Sequence, residues 1–304
     1  MTALLQWTTA NPFRAFLAAG FAALVSLIAL PMAAWLPAGI VVFSLLAGGP
    51  PVAVAAGTGA AVALVWAFGP TFGPGPAFLI AIAALLPSAL AAAALEKSRS
   101  LSFVFQALTV ASCLLVLAIH GLFGDPEGVL MPLIAQFEPM LRRTAETLSE
   151  FGIERSPEEI GAATVRVAWA TLGWMMLLHA LLAQCAGLWA FGRVREPGLF
   201  GREFSKLKLG RVIAWLLVAA FAASLVSHRV VGQGWQAVDD VVFVLAAAYL
   251  VQALAVVHGL RELQVIGLVP VIIAYVAVVL VPMALVGIGF ADTWFRFRDR
   301  FAKR

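Results

Sequence analysis

From Ala15 to Leu95 the chain carries no Asp, Glu, Lys or Arg, and shorter stretches of the same kind recur almost to its end. A hydrocarbon core about 30 Å thick needs about 20 apolar residues per helix. A water-soluble fold must keep one face of each element wet, and this sequence supplies too few residues for such faces. Charged residues are 12% of the 304 and hydrophobic residues 62%. That balance excludes an ordinary soluble domain and predicts an all-α, polytopic integral membrane protein.

The remaining composition narrows the function classes. Cys113 and Cys185 both sit in apolar runs, where a thiol packs as a small hydrophobe rather than entering a disulfide framework or a metal site. The net charge of +4 would suit nucleic acid in a soluble protein. In a membrane protein, excess Lys and Arg report loops retained on the cytoplasmic side, so no nucleic-acid partner is expected. The first apolar run is followed by Pro31, Ala33 and Ala34, yet an A-x-A-like cleavage site is missing and Arg14 is the one positive charge before it. It reads as a membrane helix rather than a signal peptide.

Nine apolar segments are candidate spans: Phe13 to Leu30, Trp35 to Ala47, Val52 to Phe68, Ala77 to Leu95, Leu101 to Phe123, Gly161 to Phe191, Val212 to Val226, Val241 to Val257 and Val265 to Phe290. The second is short, and with its neighbour reads as a thin hairpin bent at Pro31 and Pro37. Lys97 and Arg99 mark one cytoplasmic loop; Arg193, Arg195, Arg202, Lys206, Lys208 and Arg211 mark another. Between them, eight carboxylates and three arginines from Asp125 to Glu159 give a local charge of −5, which places that stretch outside. Nine full crossings would divide the basic residues ten and ten. A last segment that enters and returns leaves fifteen inside and five outside, so about eight crossings are expected, with Pro270 and Pro282 breaking the last segment. A single membrane domain follows, comprising N-terminal helices 13–123, an extracellular amphipathic insertion 125–160, C-terminal helices 161–290 and a cytoplasmic basic tail 291–304.

Two flanking stretches show interfacial patterns. Leu133, Phe137, Met140, Leu141, Thr144, Leu148 and Phe151 share one face at helical spacing, with Glu138, Arg142, Arg143, Glu146 and Glu150 opposite. Ser156, Pro157 and Glu159 form a capping box with proline at the first helical position, from which a helix should run on into the membrane. Near the end, Phe290, Trp294, Phe297 and Phe301 line one face of a basic amphipathic helix.

Polar residues inside spans are costly and therefore informative. His179, with Gln184 beyond it, and Arg166, with Trp169 and Trp174, fit interhelical hydrogen bonding and an aromatic belt. The alternative is an outer ligand pocket where Trp35, Trp66, Arg166, Trp169, His179, Asp239 and Asp240 converge; paired carboxylates within aromatic walls would suit a cationic organic molecule. Ala15, Ala19 and Ala23 make a small-residue stripe for close helix approach, as do Ala53, Gly57 and Ala61. No phosphate loop, H-E-x-x-H or G-x-S-x-G is present, and the four histidines fall in different segments. Neither an enzyme, a cofactor nor a metal is expected.

The stretch from Gly287 to Arg300, GIGFADTWFRFRDR, resembles the closing signature G-x-x-D-x-W/F-x-x-R of the YybS family of bacterial membrane proteins. That family is distantly similar to the substrate-binding subunits of energy-coupling-factor vitamin transporters. In those subunits an alanine stripe in the first helix docks a transmembrane coupling subunit, and Ala15, Ala19 and Ala23 match it. The resemblance implies a multi-pass protein of the bacterial inner membrane that binds a small molecule and relies on a coupling subunit and ATPases for energy. The competing expectation is a non-catalytic scaffold or assembly factor acting through the basic loop and tail.

Overall fold

The computed structural model describes residues 1–29, 34–231 and 235–301. Leu30 and Pro31, where the first span was expected to end and bend, and Ala33 of the weighed cleavage site lie outside them, as do Lys303 and Arg304 of the tail. Among the described residues every regular element is helical.

The chain opens with α1 (Thr2–Thr9), which lies before the first expected span, and α2 (Pro12–Ala29); the two meet at a 119° bend. α3 (Trp35–Gly48) has 14 residues, about 21 Å at 1.5 Å per residue, too short to cross the core alone. α4 (Pro50–Phe72) and α5 (Pro74–Ser98) each begin with proline after a glycine in an extended, positive-φ conformation: Gly49 at φ 78°, ψ −178° and Gly73 at φ 85°, ψ 161°. That region is essentially confined to glycine, so Gly-Pro sets both reversals. α6 (Leu101–Phe123) follows.

Next come α7 (Pro126–Ile134), a 3₁₀ turn (Ala135–Phe137), α8 (Glu138–Glu150), α9 (Pro157–Arg166) and α10 (Ala168–Val194). α11 (Leu199–Ser205) leads to α12 (Arg211–Val226), which ends in a π turn (Ser227–Val231) before α13 (Gln236–Glu262). α14 (Leu268–Leu280), α15 (Pro282–Phe295) and α16 (Phe297–Phe301) close the described chain.

Six helices, α4, α5, α6, α10, α12 and α13, are long and apolar enough to cross a membrane; the bent pairs α1–α2 and α14–α15 raise this to eight if each is one span. Expected boundaries differ in four places. The apolar stripe from Leu133 to Phe151 is split by the 3₁₀ turn rather than forming one helix. The capping box of Ser156 and Glu159 is present, but its helix stops at Val167 before α10 resumes. Pro270 sits harmlessly in the first turn of α14, so the 120° bend belongs to Val281 and Pro282. Arg296, left-handed at φ 50°, ends α15 and breaks the stripe expected from Phe290 to Phe301.

The chain divides into two compact units. The first holds Met1–Leu108, Met176–Arg211 and Tyr249 onward. Its core is built from small residues, with Ala15, Ala19 and Ala23 of α2 fully buried beside Ala56 and Ala60 of α4. Gly20 and Gly59 let the two backbones touch: a Cβ on Gly59 would fall 2.9 Å from the Phe16 Cα. The alanine stripe is thus turned inward onto α4. Polar side chains join α5 to α10, where His179 Nε2 reaches the Ala84 carbonyl at 2.9 Å and Gln184 Nε2 donates to the Ser88 carbonyl at 2.9 Å. Both acceptors flank Pro87, which interrupts the α5 ladder.

The second unit holds Thr109–Met175 and Val212–Ala248. There α7, α8 and α9 pack together, with Leu141 the buried anchor of α8 against Gly161.

Candidate functional site

In the first unit, stretches far apart in sequence enclose an open cavity of about 640 Å³. They are the α5–α6 junction (Arg99, Ser100, Ser102), the loop into α12 (Lys206, Lys208, Arg211) and the α15–α16 break (Asp292, Arg296, Arg298). The lining has six basic and three acidic side chains, an excess of three positive charges.

The loop from Lys206 to Leu209 leaves α11 by a turn and has no regular structure, and helix side chains satisfy its backbone. Ser102 Oγ donates to the Lys206 carbonyl at 3.1 Å and accepts from the Lys208 N–H at 3.2 Å, while Gln106 Nε2 donates to the Lys208 carbonyl at 3.2 Å. Behind it, Gln252 of α13 is fully buried. Its Oε1 accepts from the Leu209 N–H at 2.5 Å, and its Nε2 donates to the Gly289 carbonyl at 2.7 Å and to Thr293 Oγ1 at 3.2 Å. One amide therefore joins α13, the loop and α15, a worthwhile use of a polar group within a span.

A buried ion pair holds the third side. Asp292 is 5% exposed, and the Arg298 side chain 13%. Arg298 Nη2 donates to Asp292 Oδ2 at 2.6 Å, while its Nη1 donates to the Ser205 and Leu207 carbonyls at 2.6 and 3.0 Å. Asp292 Oδ1 accepts from the Phe297 N–H at 3.0 Å. The same carboxylate thus bridges the Arg296 break, where a left-handed non-glycine residue costs about 1–2 kcal/mol. The break folds Arg298 back over the loop, and the Arg298 stem also lies against Gly259, where an added Cβ would meet its Cδ at 2.7 Å.

Gly259 precedes the α14–α15 pair and Arg298 follows it. Both ends of the pair therefore lie near one another, and the 120° bend between them is that of a broken span or a re-entrant loop.

The residues singled out from sequence are distributed between the units. Trp35 (half-buried at the start of α3), Trp66 (72% exposed on α4) and His179 belong to the first. Arg166, Trp169, Asp239 and Asp240 belong to the second. Trp169 Nε1 donates to the Gly124 carbonyl at 3.1 Å, and Arg166 Nε lies 3.8 Å from Glu127. Asp239 accepts from Ser224 Oγ at 2.5 Å and pairs with His228 at 3.0 Å; Asp240 pairs with His120 at 2.8 Å. The adjacent carboxylates therefore face different histidines, each supplied from another helix or turn.

In the sequence Lys206, Lys208 and Arg211 mark a cytoplasmic loop and Arg296 and Arg298 belong to the basic tail, and nothing local joins the two into a site. The available signals were Gln252 and Asp292, polar residues within apolar segments. Their partners are more than thirty residues away or across a helix break, where no periodicity reaches.

Helices this long and apolar define a polytopic helical membrane protein. This chain belongs to the DUF2232 family, described as predicted membrane proteins, whose match covers residues 15–293. No curated protein and no solved structure matches it.

Proposed function

We propose that the protein is a membrane-embedded, non-catalytic binding component of a transport system, which captures a small molecule and takes its energy from partner subunits. The observation that carries this reading is the basin of about 640 Å³, a volume within the usual range for small-molecule sites. Its walls are fixed by the Gln252 hub and the Asp292–Arg298 pair rather than left as a solvated charge run. The likeness to the YybS family and to energy-coupling-factor substrate-binding subunits supports the same reading, with residence in the bacterial inner membrane. The excess of Lys and Arg in this loop and tail supports a basin on the cytoplasmic side. Capture of a cation at Asp239 and Asp240 is the weaker form, because both carboxylates already receive donors from within the chain.

Gentle purification followed by native mass spectrometry tests the proposal: a bound small molecule, released when Arg298 is replaced by Gln, is expected. Recovery of a protein partner alone would favour the scaffold reading, which rests on the same basic loop and tail. Topology is tested by labelling introduced cysteines with an impermeant reagent in intact cells. Glu150→Cys should label from outside, whereas Lys206→Cys and Arg300→Cys should not.

A further inference from the structure

We infer that the basin recognises a phosphate-bearing group; this deepens the binding reading above and rests on it. Five of the lining cations, Arg99, Lys206, Lys208, Arg211 and Arg296, have no ion-pair partner among the described residues. Arg298 is the sixth, and it is consumed by Asp292 and two carbonyls. All five are exposed, and Arg211 also stacks over Trp294 at 5.8 Å.

The acidic residues do not cancel this field. Asp292 is bound to Arg298, and Glu203 accepts the Leu101 N–H at 3.2 Å. That contact is itself instructive, because the N-terminus of α6 opens on the basin and already draws in the nearest carboxylate. Asp299 is the remaining acid. With all three carboxylates counted, the concave site keeps an excess of three positive charges. A phosphate, with up to two charges and several acceptor oxygens, matches converging Lys and Arg donors.

The position of the basin narrows the source. It lies where α5 ends and where α6 and α12 begin, at the rim of apolar segments rather than midway along them. Basic pockets between helix ends at a membrane surface take phosphate groups from lipid heads or from solutes. The shared chemistry is the phosphate, and experiment separates the sources.

The test uses the full chain in detergent and in lipid nanodiscs. Inorganic pyrophosphate is titrated calorimetrically, with acetate at matched ionic strength as control. Retention of phosphatidylglycerol against phosphatidylcholine is read by native mass spectrometry. Wild type is compared with Lys206→Gln/Lys208→Gln/Arg296→Gln, which spares the Asp292–Arg298 pair, and with Arg142→Gln/Arg143→Gln on α8. Each Lys or Arg near a surface contributes about fivefold, so the basin triple variant should weaken binding by about a hundredfold and the α8 variant should not. Saturable pyrophosphate binding lost in the triple variant assigns a soluble source. Loss of phosphatidylglycerol retention with no pyrophosphate binding assigns the lipid. Should the triple variant misfold, acetylation of Lys206 and Lys208 in wild type must be blocked by one of the two probes.

Equal binding by wild type and a folded triple variant, equal affinity for acetate, or unprotected lysines would each overturn the inference. A copurified ligand without phosphorus would overturn it and leave the binding reading standing. Saturable pyrophosphate binding in a protein that carries no small molecule would support it while removing the transport reading.

Discussion

The α2–α4 seam and the basin belong to the same unit yet are held together by opposite means. In the seam, Ala15, Ala19, Ala23, Gly20 and Gly59 supply almost no side chain, and the backbones approach until little more than van der Waals contact remains. In the basin, Ser102, Gln106, Gln252, Asp292 and Arg298 fix a loop that could not pack by shape alone. Lipid offers helices little hydrophobic reward for association, so close packing and hydrogen bonding are the two means left. The difference teaches where variation is tolerated: the seam rejects volume, and the basin rejects loss of a partner.

The largest expected effect breaks the basin. Asp292→Ala leaves Arg298 charged and largely buried without its counterion, which should destabilise the fold by about 3–5 kcal/mol. Reversible unfolding in detergent measures it. Asp292→Leu combined with Arg298→Met should recover most of that loss, and failure to recover would mean that the two carbonyl contacts of Arg298, not the ion pair, hold the tail.

A smaller loss is expected in the seam. Gly59→Ala pushes a methyl into the Phe16 backbone and should cost about 1–3 kcal/mol, with Ala19→Leu acting by the same overpacking. If Ala19→Leu instead left the fold intact and released a protein partner, the stripe would be a docking surface and the buried seam would be wrong.

Ser102→Ala removes two loop contacts that water can replace in part, for about 0.5–1.5 kcal/mol, and should speed proteolysis near Lys206 ahead of any global unfolding. The smallest change tests the boundary of both regions. Trp66 is 72% exposed within the α4 span and contributes to neither, so Trp66→Leu should stay within about 0.5 kcal/mol while altering tryptophan quenching by brominated lipid.

The membrane class, the helical fold and most span positions were legible in the sequence, because charge-free runs of this length have no other stable use. Local chemistry was legible too. The Ser156 and Glu159 capping box formed as written, since both partners lie within one turn. Charge balance pointed to a break in the last apolar segment, and the break is there at Val281 and Pro282. What only the tertiary structure decided depends on partners far apart in the chain. Ala15, Ala19 and Ala23 carry the same pattern whether they face a partner or α4, and burial alone tells the two apart. Arg296 looks helical in sequence; it turns left-handed because Asp292 and Arg298 meet across it. The basin likewise brings together residues near positions 100, 207 and 295. Periodicity reports which face of one helix is apolar, but a charge is given its meaning by the groups that other segments bring to it.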